Sequence, residues 1–328
     1  METSNGNGGE DRREGAMAGA NTPEWAWIDG RFVPWEECRI HVRTSAVAVA
    51  ATVFEGVRAY WNAAHEQLYA FELDRHLRRL RESMAIMRMR SSLPADFAET
   101  CLELLARNGF REDVHFVPSA YVGLPEGNMP MAPSAEEGLF VTAVARPPSK
   151  MLETGKSVCV SSWRRISDAV MPPRVKATGN YQNSRLALLD AQADGYDDAV
   201  LLNGNGTVAE AAGSCLMMVR RGEVCTPPVT AGILESITRA VLIELFEEKL
   251  GRRVIEREID RTELYVAEEV FLCGSGQEVV PVVAVDRRRI GDGRKGPLTG
   301  AIQDAYFRVA RGQDNTHPEW RTPVYRTK

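Results

Sequence analysis

The sequence predicts an α+β protein built in two parts, and three observations carry that prediction. The chain has 328 residues, more than one hydrophobic core usually accommodates. Short β-patterned segments joined by tight turns alternate with a few amphipathic helices along its whole length. A proline-rich break, "RPPSKMLETGK" at 146–156, separates an earlier group of elements from a later one. This gives a small α+β domain over 24–147, a linker over 148–156 and a larger domain over 157–328, behind a polar leader (1–23) expected to be disordered.

The elements follow in order. "TPEWAWIDGRFVPWEE" reads as a hairpin turning at Asp29-Gly30. A strand through Thr52 to Tyr60 and another at "QLYAFEL" come next. Asp74 is the expected cap of a helix with Leu77, Leu80, Met84 and Met87 on one face, the methionines being core filler. A second helix runs from near Pro94 to Gly109 and turns Phe97, Cys101 and Leu104 or Leu105 inward. "HFVPSAYVGL" and "LFVTAVAR" are further strands, and "SVCVSSW" opens the second part. A helix from about Gln182 to Ala193 stops at Gly195 and is followed by the strand "DAVLLN". "CLMMVRRGEVCTPP" is a hairpin around Arg221-Gly222. "SITRAVLIELFEEKLG" is a helix capped near Ser236 or Thr238 and ended by Gly251, and "DRTELYVAEEVFLCGSG" closes with a strand and a Gly/Ser turn.

Composition narrows the function. Hydrophobic residues make up 44% and charged residues 26%, with a net charge of -5 and no Lys/Arg-rich run, which argues against a nucleic-acid partner. The longest apolar stretch, "AVAVAATVF", is too short to span a bilayer. The six cysteines form no Cys-x-x-Cys pair and the five histidines show no ligand spacing, as expected of reduced thiols in a cytoplasmic protein without a metal.

Three clusters can carry chemistry. In "PRVKATGNYQNSR", Lys176 precedes a Thr-Gly-Asn turn that can hold its side chain in a cavity, although a lysine is ordinarily a solvated surface charge. In "NGNGTVAEAAGS", Glu210 stands among alanines: either a surface carboxylate at a strand end, or a charge that a flat ligand can approach. Ile237-Thr238 opens a helix whose free N–H groups favour an anion, "CGSGQE" offers Ser275, and Arg79 can add a cation or lie on a solvated face. A lysine, a carboxylate and several phosphate donors are the groups that pyridoxal 5'-phosphate requires.

The segments "VFEGVRAY" (53–60), "FELDRHLRRL" (71–80), "VKATGNYQNSRLAL" (175–188), "GTVAEAAGS" (206–214) and "GILESITRAV" (232–241) together resemble the class IV pyridoxal-phosphate aminotransferases, closest to the branched-chain group. The resemblance runs colinearly from about residue 25 to 310. It implies fold type IV, with a larger α/β domain that has a barrel-like core, and a homodimer whose cofactor lies in the interdomain cleft. It places Lys176 on the Schiff-base lysine, Tyr181 on the partner of the cofactor's phenolic oxygen and Glu210 on the partner of its pyridine nitrogen. Arg79, the backbone of Ile237 and Thr238, and Ser275 fall on phosphate-binding positions. Phe54, Arg58, Val117, Arg146 and Gly276 are the expected substrate neighbours. Small-molecule amino donors and carbonyl acceptors are the implied partners.

The chain departs from the branched-chain pattern at Val49, where a tyrosine is usual, at Val117, where an arginine is usual, and at Met151, where a tyrosine is usual. An aromatic residue is also missing at Pro148. These changes to the substrate wall lead to the expectation of non-standard substrates in a specialised biosynthetic pathway. The alternatives are a fold type IV lyase of the aminodeoxychorismate type, a decarboxylating enzyme, and an ordinary branched-chain aminotransferase.

Overall fold

A computed structural model describes residues 22–127, 129–131 and 136–326. Nearly all of the leader lies outside the described residues. In the first part, β1 (Trp25–Ile28) and β2 (Arg31–Pro34) form the expected hairpin; Asp29 and Gly30 both have positive φ, 47° and 84°, as a two-residue turn matched to strand twist requires. A single helical turn, α1 (Ser45–Ala48), leads to β3 (Thr52–Phe54), β4 (Val57–Asn62) and β5 (Gln67–Phe71). The strand expected through Thr52 to Tyr60 is thus two strands. It breaks at Glu55-Gly56, where the Glu55 side chain turns fully inward and a Cβ on Gly56 would stand 2.8 Å from Nε2 of His115.

Helix α2 (Leu73–Ile86) carries Leu73, Leu77, Leu80 and Met84 into the first core. Its cap is Glu72 rather than Asp74, because the Glu72 N–H is held by the Trp320 carbonyl at 2.7 Å. Asp74 lies in the first turn, where a negative charge still favours the helix dipole. Helix α3 (Phe97–Arg107) starts three residues after Pro94 and buries Phe97, Cys101, Leu104 and Leu105. Each such side chain removed from water contributes roughly 1.5–3 kcal/mol. Strands β6 (Val114–Val122) and β7 (Glu137–Ala145) complete this part.

A short helix, α4 (Met151–Thr154), precedes β8 (Lys156–Arg164), α5 (Asn180–Ala193), β9 (Asp198–Leu202) and β10 (Val208–Ala211). The hairpin of β11 (Cys215–Arg220) and β12 (Glu223–Thr226) turns at Arg221-Gly222 as expected. Helix α6 (Ile237–Leu250) is capped by Ser236, whose side chain accepts from the Arg239 N–H, and ends at Gly251 in the left-handed region. Then come β13 (Val254–Glu256), β14 (Glu269–Gly274), β15 (Glu278–Val285), β16 (Arg288–Arg289), α7 (Pro297–Ala310) and β17 (Arg321–Pro323).

Two sheets result. The first has eight strands ordered β17-β5-β4-β6-β7-β1-β2, with β3 on β6; the second has nine, ordered β10-β9-β8-β15-β14-β11-β12-β13, with β16 on β15. The last strand, in a segment expected to belong to the second part, crosses back to pair with β5. Helices α6 and α7 cover the second sheet through Val241, Leu245, Ile302 and Tyr306, and Tyr60 of β4 joins the same cluster, its hydroxyl 3.0 Å from that of Tyr306.

Buried Asp113, just before β6, also joins the two parts: it accepts from Nη1 of Arg311, which ends α7, and from the Trp61 N–H, each at 2.9 Å. Removing this carboxylate leaves the half-buried Arg311 guanidinium and the Trp61 N–H without their acceptor, so Asp113→Ala should lower the unfolding free energy by about 2 kcal/mol. Urea unfolding followed by circular dichroism measures this, and an unchanged midpoint would show the tie to be dispensable.

Candidate active site

The segment bearing Lys176 is held from both sides. The Lys176 carbonyl accepts from the Phe54 N–H of β3 at 2.9 Å, and Ala177 forms a β-bridge with Val53. Val175 and Ala177 are buried in the first core, so the two neighbours of Lys176 are anchored in the sheet across the cleft. The side chain of Asn180 donates to the carbonyls of Val175 and Pro172 at 2.9 and 3.1 Å, which closes the turn that the sequence pattern suggested. These bonds leave α5 starting at Asn180, two residues earlier than expected, with Tyr181 in its first turn. Nζ of Lys176 donates to the Tyr181 hydroxyl at 2.5 Å and lies 4.9 Å from the ring centres of both Phe54 and Tyr181.

Lys176 opens into a cavity of about 200 Å³ between the two sheets. Arg79, Tyr181, Glu210, Ile237, Ser275, Phe54 and Gly276 line it as well, so most of the residues singled out from sequence converge here. Thr238 is buried directly behind Ile237. Arg58, Val117 and Arg146 do not line the cavity, and neither do Val49 and Met151.

Glu210 occupies one wall. Its Oε1 pairs with Arg165 at 2.8 Å and its Oε2 accepts from the Leu234 N–H at 3.0 Å. Burial raises its pKa, and the charge of Arg165 with the Leu234 N–H opposes that rise. Arg165 escaped the sequence reading because "SSWRR" looks like a solvated strand end; only folding sets it against Glu210.

The opposite end is built on Arg79. Its Nε and Nη2 each donate to Glu55 at 2.7 Å, and its Nη1 donates to the Glu235 carbonyl at 2.6 Å. A guanidinium has five N–H groups, so two remain for a ligand. Glu55 also meets His76 Nδ1 at 2.6 Å, and His76 Nε2 lies 3.4 Å from the Ser275 hydroxyl. Glu55 and His76 went unremarked in the sequence, where "FEG" and "DRH" carry no sign of their pairing. The first N–H groups of α6, at Ile237 and Thr238, have no intrahelical acceptor and belong to this same end. The Ser214 hydroxyl, in the cavity wall, is buried without a hydrogen-bond partner among the described residues.

These features fit pyridoxal phosphate: an amine beside a phenol, a carboxylate on one wall, and a cation, a helix start and hydroxyls at the other end.

The comparisons with known proteins agree. The sequence profile of the family described as "Amino-transferase class IV" matches residues 52–285. This chain belongs to the class IV aminotransferases. Over 310 residues, 92% of this chain and 97% of the relative, it is 38% identical to a protein named "Probable branched-chain-amino-acid aminotransferase" from Aquifex aeolicus (strain VF5). The branched-chain amino acid aminotransferase of Thermobaculum terrenum, solved in its PLP form, superposes with a TM-score of 0.87 at 40% identity, covering 93% of this chain and 99% of that one. The branched-chain aminotransferase of the thermophilic archaeon Thermoproteus uzoniensis, solved with norvaline, gives a TM-score of 0.86 at 37% identity, with coverage of 93% and 100%. The α+β, fold type IV architecture expected for this class IV aminotransferase is therefore borne out.

These relatives bear ordinary branched-chain names, which back the ordinary branched-chain alternative better than the expectation of specialised substrates. The physical reason lies in the wall. Val49 is an exposed residue after α1, Val117 sits within β6 and Met151 begins α4, so none of these changes strips a polar group from the cavity lining.

Burial would raise the pKa of Glu55, but Arg79 and His76 overcome it and hold the carboxyl at about 2. The stability it contributes is complete above the ordinary carboxyl value and is lost as pH falls through about 2. Melting temperatures measured from pH 7 to 3 should therefore fall less steeply for Glu55→Gln than for the parent. Parallel curves would mean the charge on Glu55 carries no linkage.

Proposed function

We propose that this class IV aminotransferase is a pyridoxal-phosphate-dependent branched-chain amino-acid aminotransferase that exchanges an amino group between valine, leucine or isoleucine and a 2-oxo dicarboxylate. The observation that carries it is the meeting, in one cavity, of the Lys176–Tyr181 pair, the Glu210–Arg165 pair and the Arg79 end. The names of the relatives support the substrate class. By analogy with the family we also propose a homodimer working in the cytoplasm; among the described residues no helix is long and apolar enough to cross a membrane.

Pyridoxal phosphate, when bound, supplies a ring that accepts the electron pair left when the substrate's Cα–H bond breaks. Lys176 would provide the amine that holds the cofactor, and its Nζ is the group placed to take and return the substrate's proton. Tyr181, hydrogen-bonded to Nζ, orients that amine. Glu210 would face a pyridine nitrogen and favour its protonated form, and the charge of Arg165 opposes the rise in the Glu210 pKa that burial causes. Arg79, the start of α6 and Ser275 would hold the phosphate. Phe54 excludes water beside Lys176.

Lys176→Ala should abolish turnover and the linkage trapped by borohydride; retention of either would overturn the assignment. Glu210→Gln should bind cofactor yet lose roughly 100-fold or more in kcat. Steady-state assays of valine, leucine and isoleucine against 2-oxoglutarate should give kcat/KM of roughly 10⁴ M⁻¹s⁻¹ or more. Values a thousand times lower for all three would sink the branched-chain reading.

A further inference from the structure

Two arginines border the cavity beyond His115 and Gly276, in opposite circumstances. Arg58 is 2% exposed and its charge is matched: Nη2 meets Glu278 at 2.8 Å and Nη1 donates to the Arg146 carbonyl at 2.9 Å. Arg146 is exposed, and among the described residues its guanidinium makes no hydrogen bond or ion pair. Its backbone is fixed nonetheless, because its N–H donates to the Asp113 carbonyl at 2.7 Å where β7 ends. Nη1 of Arg146 stands 3.8 Å from the point a Cβ on Gly276 would occupy, and Gly276 lines the cavity. Partial burial and the like charge of Arg58 lower its pKa, and Glu278 offsets only part of this.

The other groups at this end cannot supply a cation. Burial and the neighbouring arginines push the His115 ring down to about 3, so it is neutral at any working pH. Val117, where the branched-chain pattern has an arginine, is apolar, and Arg58 is committed to Glu278. An enzyme that alternates an apolar side chain with an acidic one needs a cation that the apolar substrate can leave in water. An exposed arginine at the cavity mouth, just past the end of β7 and beside Gly276, meets that need. We infer that Arg146 takes the side-chain carboxylate of the dicarboxylate substrate.

This inference rests on the aminotransferase reading, but its test needs no turnover. Glutarate and 4-methylvalerate are titrated into the pyridoxal-phosphate-loaded enzyme and binding is followed by the cofactor's absorbance. Arg146→Met should weaken glutarate roughly 10- to 100-fold relative to 4-methylvalerate, and Arg146→Lys should recover part of the loss. Arg146→Gln gives the same reading if the Met variant does not fold. An unchanged glutarate-to-methylvalerate ratio in the variants would overturn the role of Arg146. Failure to transaminate valine would instead remove the branched-chain reading and leave the glutarate result standing.

Discussion

The active-site geometry depends on one constraint: the segment around Lys176 is hydrogen-bonded to the first sheet while the residues that follow it start a helix of the second part. The Phe54 N–H to Lys176 carbonyl bond and the burial of Val175 and Ala177 fix the backbone on one side. Asn180 and the first turn of α5 fix it on the other. A lysine has four rotatable side-chain bonds and would ordinarily sample many positions in water. Here its amine is placed against the Tyr181 hydroxyl because its own backbone cannot move without breaking the contact between the sheets.

The ionic organisation follows from that cleft. Glu55 with Arg79, Glu210 with Arg165 and Arg58 with Glu278 are paired charges with little exposed surface, each joining different stretches of chain. Such pairs add little net stability, since desolvation offsets much of the attraction. Their value is positional. Glu55 orients Arg79 with two bonds and leaves two N–H groups for an anion, while Arg165 counters the burial that raises the pKa of Glu210. His115 has the opposite fate, since burial among cations keeps it neutral.

The substrate wall shows why single positions mislead when read in a line. Val49, Val117 and Met151 suggested a lost carboxylate site and hence unusual substrates. In the fold none of them lines the cavity, while Arg146, which follows the next strand, stands beside Gly276 without an anion. Arg146 lies just past β7 and reaches the Gly276 turn only because the fold brings these two stretches together.

The sequence by itself determined the parts whose signals are local. Apolar spacing marked α2 and α3, a cap and a closing glycine marked α6, Asp29-Gly30 and Arg221-Gly222 marked two hairpins, and "VKATGNY" and "TVAEAAGS" marked the lysine and the carboxylate. Helix α7 was missed because "GPLTGAIQDAYFRVA" has two glycines and no strong polar face, so its stability comes from packing on α6 and the second sheet. Tertiary structure alone decided the break at Glu55-Gly56, the return of β17 to the first sheet, and the pairings of Arg165, His76 and Glu55. These are contacts between residues 21 to more than 200 positions apart. Their formation depends on burial and on which sheets face each other, and no local propensity encodes either.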